Sequence, residues 1–357
     1  MPDKATVVVL SFRTYGDYVL KAPFLYALYL RFPGARVIVV TNSKGGQVYP
    51  LIDSRLEVVV LDHDTPTLRI VRELARIPRA THLFVTDTSR TSLALAVPIR
   101  AQRKTGWARN VSRLYGEHGF FDWTSPTASL RALAWLVLDE RRVRRPEGHY
   151  EGYVELELLD APALGRPLSA FRSAHALRPA RRSAVPYIYC ATEAGWKARQ
   201  LSAAQWTAIA AGLAREHPRH RILIHGAPGL AATLAGGDRV VASDSGSVAD
   251  LFHTVAGADL VIAPDSFALH IASLYDVPVL GYFGPAHPVR FRPTSPRSRT
   301  VFHAPECSPC LQRRGDAPCH RGLAQCSSLA ATRPDEILAC ARFLLKTHPV
   351  PAAGHRA

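Results

Sequence analysis

The chain has 357 residues, 47% of them hydrophobic and 20% charged, more than one ordinary core organises and enough for two. No run approaches the roughly 18 apolar residues of a membrane-spanning helix. The opening MPDKATVVVLSFR lacks a signal peptide's basic start, longer apolar region and cleavage site, so a cytoplasmic location is expected. A formal charge of +15 favours acidic partners such as nucleic acid, anionic lipid or phosphorylated sugars, without choosing among them.

The first elements read as strand, loop and helix. Val7 to Leu10 is an apolar β-branched run, Ser11 to Gly16 is turn-like, and Asp17 to Arg31 carries a helical apolar pattern that Pro33-Gly34 stops. Pro23 lacks an N–H, so the main helix should start near it, with Asp17 to Lys21 as a separate turn or kinked segment. Arg36 to Val40 reads as the next strand, completing a β-α-β unit of the kind that builds parallel sheets. Further strands are expected at Glu57 to Leu61 and His82 to Asp87.

From about Leu159 to Pro186 periodicity fades and Arg, Ser and Pro accumulate, which places a linker there. A second alternation follows, with strands at Val185 to Cys190, Arg221 to His225, Arg239 to Ala242, Leu260 to Ala263 and Pro278 to Phe283. Helix starts are signalled by Ser202 with Gln205 and by Ser247 with Asp250. Asp335 to Leu345 reads as a last helix before a Pro- and Ala-rich tail. The result is two parallel β/α domains, 1–175 and 176–347, with a Cys-rich loop at 305–328 and a loose tail at 348–357.

In such sheets ligands collect beyond the carboxyl ends of strands. No Gly-x-Gly-x-x-Gly follows the first strand and no Walker-type Gly-Lys-Ser/Thr occurs, which argues against a dinucleotide oxidoreductase and a P-loop NTPase. The first loop runs through Arg13 and Gly16 to Asp17, a carboxylate at a helix start that could serve as a general base or only as a cap. Asp265 and Ser266 lie where a strand gives way to a helix, and His270 follows one turn later on the same face. Such a turn can accept hydrogen bonds from sugar hydroxyls and hold a diphosphate on free N–H groups, or can simply cap the helix over an interior histidine. Lys197 and Arg199, just beyond another strand, could neutralise a departing phosphate or decorate a basic surface loop.

Together these segments resemble glycosyltransferase family 9, the lipopolysaccharide heptosyltransferases, across nearly the whole chain. The resemblance rests on Gly16-Asp17 followed by Pro23, the turn Phe32-Pro33-Gly34-Ala35, and above all AGADLVIAPDSFALHIASLYDVPVLGYFGP from Ala256 to Pro285. It implies a GT-B fold, two Rossmann-like α/β domains facing across a cleft. It also implies metal-independent inverting transfer of heptose from ADP-heptose to the lipopolysaccharide inner core, with no cofactor required. By resemblance, Asp17 falls on the catalytic base, with Arg13 and Gly16 on the acceptor side. Asp265 falls on the residue holding the donor sugar, Ser266 on a donor-phosphate contact, and His270 on the family histidine. The chain departs in having Phe267 where the family has glycine, and Arg199-Gln200-Leu201-Ser202 where it has Lys-Arg-Trp-Pro; Arg199 aligns with the phosphate-facing lysine and Lys197 is a close substitute.

Cys307-x-x-Cys310, Cys319 and Cys326 could wrap a structural zinc or iron, or pack as reduced thiols. Leu130 to Leu138, followed by Arg141, Arg142, Arg144 and Arg145, could rest on the anionic inner face of the inner membrane, bind phosphorylated core sugars, or be a domain helix with a solvated basic end. The expected partners are a nucleotide-diphosphate sugar, an acidic lipopolysaccharide-type acceptor and that membrane surface. Two other readings stand beside this one: a relative using another nucleotide sugar or a protein acceptor such as an adhesin, and a basic nucleic-acid-binding protein. No nucleic-acid module or stacking platform is evident, so no nucleic acid is expected as a partner.

Overall fold

A computed structural model describes residues 5–87, 90–107, 139–141, 150–161, 165–180, 183–226, 228–234, 238–243, 245–308, 310, 319, 321–323 and 325–346. The basic helix read at 130–138 with arginines 142, 144 and 145, and the tail from 348, lie outside them. The chain divides into two compact units, 1–166 with 171–177, and 167–170 with 178–357. Among the described residues no helix is long and apolar enough to cross a membrane.

The first unit holds a six-stranded parallel sheet of β1 (Thr6–Ser11), β2 (Arg36–Thr41), β3 (Glu57–Val60), β4 (Ala80–Val85), β5 (Ala101–Trp107) and β6 (Asp139–Arg141), in the order β3-β2-β1-β4-β5-β6. Val7 through Leu10 are fully buried, as a strand covered on both faces requires. The helices are α1 (Tyr15–Val19), α2 (Ala22–Arg31), α3 (Ser43–Ile52), α4 (Thr67–Arg76) and α5 (Arg90–Ala96). The helical pattern from 17 to 31 does split: Pro23 sits in the first turn of α2, where its missing N–H costs nothing, and Lys21 is the residue that caps α2. The strand expected at His82 to Asp87 runs two residues earlier: Thr86 donates to the Leu10 carbonyl of β1, and Asp87 accepts the Phe12 N–H of the loop after it.

The second unit repeats the plan with β7 (Tyr187–Ala191), β8 (Arg221–His225), β9 (Val240–Ala242), β10 (Leu260–Pro264), β11 (Val279–Phe283) and β12 (Ser298–Phe302), ordered β12-β11-β10-β7-β8-β9 and all parallel. Its helices are α6 (Ala203–Glu216), α7 (Pro228–Leu234), α8 (Val248–Ala256), α9 (Phe267–Leu274), α10 (Ser327–Ala331) and α11 (Pro334–Lys346). Both expected caps form: Ser202 Oγ accepts from the Gln205 N–H at 3.2 Å and Ser247 Oγ from the Asp250 N–H at 3.1 Å. Trp206 of α6, fully buried, meets Tyr282 of β11 edge-on at the centre of a core completed by Ile337, Leu338 and Ala341 of α11.

Strand order reverses between β1 and β4 in the first unit and between β7 and β10 in the second, which opens a crevice beyond the carboxyl ends of those strands. The loops after these four strands are therefore the places to look for chemistry.

One buried ion pair in the first unit carries a test. Lys21 Nζ lies 2.7 Å from Glu155 Oε1, with side chains only 2% and 13% exposed, and joins α2 to a 3₁₀ segment, Glu151–Leu159. Removing one member strands the other charge away from water. We predict that Lys21→Met lowers unfolding free energy by about 3–5 kcal/mol, and that adding Glu155→Leu recovers most of it. Urea unfolding of the single and double variants checks this, and equal losses in both would contradict it.

Candidate functional site

In the first unit the loop after β1 is fixed from beneath. Asp87, 1% exposed at the end of β4, accepts the Phe12 N–H at 2.8 Å and the Ser92 hydroxyl at 2.8 Å. Tyr18 closes the other side, accepting the Arg13 N–H at 2.7 Å and standing 2.9 Å from both the Arg13 carbonyl and Asn42 Oδ1, to either of which its proton can be donated. Burial pushes the Tyr18 hydroxyl up to about 12 against bonds from Thr41 and Arg13, so it stays protonated as a donor. The Gly16 carbonyl accepts the Leu20 N–H at 3.2 Å, continuing the backbone toward α2.

Asp17 does act as a cap. One oxygen, Oδ2, accepts the Thr14 N–H at 3.2 Å and the Thr14 hydroxyl at 2.9 Å. Because one oxygen takes both bonds, capping and proton acceptance do not exclude each other. Asp17 is half-buried and lines a small hollow with Arg13, Leu20, Lys21, Glu151 and Glu155.

In the second unit the loops after β7 and β10 converge. Arg199 Nη1 lies 2.9 Å from Asp265 Oδ2 and donates to the Asp265 carbonyl at 3.1 Å, while its guanidinium stacks 4.1 Å from the centre of the Trp196 ring. His270 Nε2 stands 3.4 Å from Asp265 Oδ1. Burial opposes ionisation of Asp265, but the charge of Arg199, the hydrogen bond and charge of His270 and the more distant Arg290 outweigh it, holding the carboxyl below the usual carboxylate range. Of the two cations the sequence offered, Arg199 reaches Asp265, whereas Lys197 is exposed. Phe267 packs edge-on against Phe252 of α8, ring centres 5.6 Å apart, so its bulk is taken up by aromatic packing.

Three polar atoms around this ion pair, Arg199 Nε, Ser266 Oγ and His270 Nδ1, are buried with no hydrogen-bond partner among the described residues. A buried donor or acceptor left unpaired is costly, and a ligand that supplies the missing bonds removes that cost. Ser266 is the N-cap residue of α9, yet its side chain makes no cap bond.

Sequence reasoning missed Tyr18, Asn42 and Asp87 as supports; Asn42 and Asp87 follow a signal, a polar side chain just past the carboxyl end of a strand, whereas Tyr18 lies inside α1. It also missed Gly226, after β8, which adopts φ +155° and whose Cβ, if present, would collide with Thr192 Oγ1. Only glycine lets those two loops approach so closely.

The four clustered thiols share one environment. Cys310 is pushed up to about 11, first by burial and then by the nearby Cys326, Cys307 and Cys319. The segment leans on the loop after β11, where a Cβ at Gly284 would press into Leu329 of α10. Among the described residues, however, no three His, Cys, Asp or Glu side chains are grouped so as to hold an ion, and residues 311–318 between the thiols are not described.

The ion pair at Asp265 yields a pH prediction. Folding lowers this carboxyl's pKa, so its stabilisation is complete above the unfolded value of about 3.9 and is lost as pH falls through the folded value. Asp265→Asn should cost about 3 kcal/mol, constant from about pH 5 to 8, with the deficit narrowing below about pH 4. Urea titrations across that range would disprove the assignment if the deficit widened in acid.

Comparison with known proteins fits this arrangement. The family model for glycosyltransferase family 9 (heptosyltransferase) matches residues 168–320, which include the β7 and β10 loops. No curated protein matches the chain by sequence. Among solved structures, E. coli ADP-heptose lps heptosyltransferase II is 14% identical with a TM-score of 0.69, covering 96% of this chain and 99% of its own. E. coli heptosyltransferase WaaC with ADP-2-deoxy-2-fluoro heptose is 15% identical with a TM-score of 0.63, covering 96% and 100%. The iron-containing dodecameric glycosyltransferase TibC from enterotoxigenic E. coli is 13% identical with a TM-score of 0.55, covering 97% and 77%. The chain thus has the two parallel α/β sheets of the GT-B fold, and residues 168–320, nearly all in its second unit, are similar to the glycosyltransferase family 9 (heptosyltransferase) model.

Proposed function

We propose that the chain transfers heptose from ADP-heptose to the lipopolysaccharide inner core, by inverting displacement without a catalytic metal, at the cytoplasmic face of the inner membrane. The observation that carries the donor half is the trio of unpartnered buried atoms, Arg199 Nε, Ser266 Oγ and His270 Nδ1, set around an ionised Asp265. Asp265 accepts hydrogen bonds from the donor's sugar hydroxyls. Arg199, Ser266 and the free N–H groups opening α9 bind the diphosphate, and Arg199 offsets the negative charge that develops on it as the leaving group. The name of heptosyltransferase II and the ADP-sugar bound to WaaC support an ADP-activated donor.

On the acceptor side, Asp17 takes the proton from the attacking hydroxyl. That oxygen bonds to the anomeric carbon as the bond from this carbon to the diphosphate oxygen breaks, and the electron pair leaves with ADP. One displacement inverts the anomeric centre. Arg13 and Gly16 shape the acceptor side of this loop.

A second reading, transfer from another nucleotide sugar or to a protein acceptor such as a surface adhesin, is favoured by Phe267 in place of the family glycine and by the thiol cluster. The soft donor chemistry of Cys307, Cys310, Cys319 and Cys326 is of the kind that binds zinc or iron. The described side chains do not close around an ion, and no step is derived through one. Metal analysis of purified protein should find close to one zinc or iron per chain on this reading, and trace amounts would end it.

Asp17→Ala should reduce transfer from ADP-heptose by about 100-fold or more while ADP still raises the melting temperature as in the wild type. Near-normal transfer by this variant would remove Asp17 from the role of base. Transfer only to a protein acceptor would favour the second reading.

A further inference from the structure

Exposed large apolar residues mostly stand singly along the described chain, but Leu68 and Val71, 81% and 57% exposed, lie three apart on α4 and share one face. The opposite face of α4 is already used, since Ile70, Leu74 and Ile77 pack against the core of the first unit. The outward surface carries Leu68, Val71 and Ala75, with Arg69, Arg72 and Arg76 beside them and Arg79 just past the helix end, all exposed. The one acid on the helix, Glu73, is taken by Arg76 at 3.0 Å. Asp62 and Asp64 precede the helix, and Asp62 accepts the Ser43 N–H at 2.9 Å. Cationic charge therefore dominates the exposed surface of α4.

A short apolar stripe rimmed by arginines on an outward-facing helix matches the chemistry of an anionic bilayer surface. The apolar side chains enter the headgroup boundary while guanidinium groups meet phosphates. Arginine suits this role because its charge persists at all relevant pH and its planar fork pairs with phosphate oxygens. The helix, about 15 Å long, is too short to span a bilayer and offers a surface for lying on one.

We propose that α4 is a membrane-docking element that rests on anionic lipid through Leu68, Val71, Arg69 and Arg72. Docking requires none of the donor-site or Asp17 chemistry, so it stands or falls separately from the proposed reaction.

The test is co-sedimentation of the full chain with vesicles of pure phosphatidylcholine and of equal parts phosphatidylcholine and phosphatidylglycerol. Binding is expected only to the anionic vesicles and should weaken as salt rises. Arg69→Gln with Arg72→Gln should lower the affinity about 30-fold, and Leu68→Gln with Val71→Gln about tenfold or more. Both variants should melt as the wild type does, because the altered side chains face outward. Absence of binding to anionic vesicles would overturn the proposal, as would binding that both double variants leave unchanged. So would a dimer in solution that Leu68→Gln with Val71→Gln dissociates, since the stripe would then serve a second copy of the chain.

Discussion

A carboxylate that is 4% exposed keeps its charge only if positive groups stand closer than the water it has lost, and in the second unit that condition falls on Asp265. Arg199 meets one oxygen and the backbone carbonyl, and His270 approaches the other. The geometry follows from topology. β7 and β10 are neighbours although β8 and β9 separate them in the chain, so the loop that ends at Arg199 and the turn that begins at Asp265 are brought together at the point where strand order reverses. With Asp265 anchored, Arg199 is pinned between a carboxylate and the Trp196 ring, and its Nε, like Ser266 Oγ and His270 Nδ1, is buried with no hydrogen-bond partner among the described residues.

The first unit holds its loop with hydrogen bonds to backbone. Asp87 and Asn42 from two strand ends and Tyr18 from α1 reach the loop after β1 and hold its backbone, leaving Asp17 at the opening turn of α1. The proposed role of Asp17 as general base rests on this fixed position, because proton transfer depends first on position. Lys21 and Glu155 extend the same principle by tying α2 to the segment at 151–159 with a charge pair that water scarcely reaches.

Much of this was legible in the residues themselves. Val7 to Leu10 and Leu260 to Ala263 are apolar runs buried on both faces, and Ser202 with Gln205 announces a helix start by its chemistry alone. Pro23 divided the first helix where its missing N–H could be tolerated. What stayed hidden had weaker physical signatures. β5 carries Gln102, Arg103 and Lys104, and β12 is an exposed edge strand in which only Val301 is buried, so neither shows an apolar run. That Arg199 pairs with Asp265 was not readable from the residues, because Lys197 and Arg199 stand two apart on the same loop and only the fold brings one of them to the carboxylate. Gly226 could not be singled out because its constraint comes from Thr192, far away in the chain.

The claim on which the functional account rests is that the Arg199–Asp265 cluster receives the diphosphate of an activated sugar. Calorimetric titration of ADP into the wild type and into Arg199→Ala tests it most directly. Saturable binding to the wild type, weakened about tenfold or more by a change that removes one charged hydrogen-bonding group, is the predicted result. Equal affinity in a folded Arg199→Ala variant, or no ADP binding by the wild type, would contradict it.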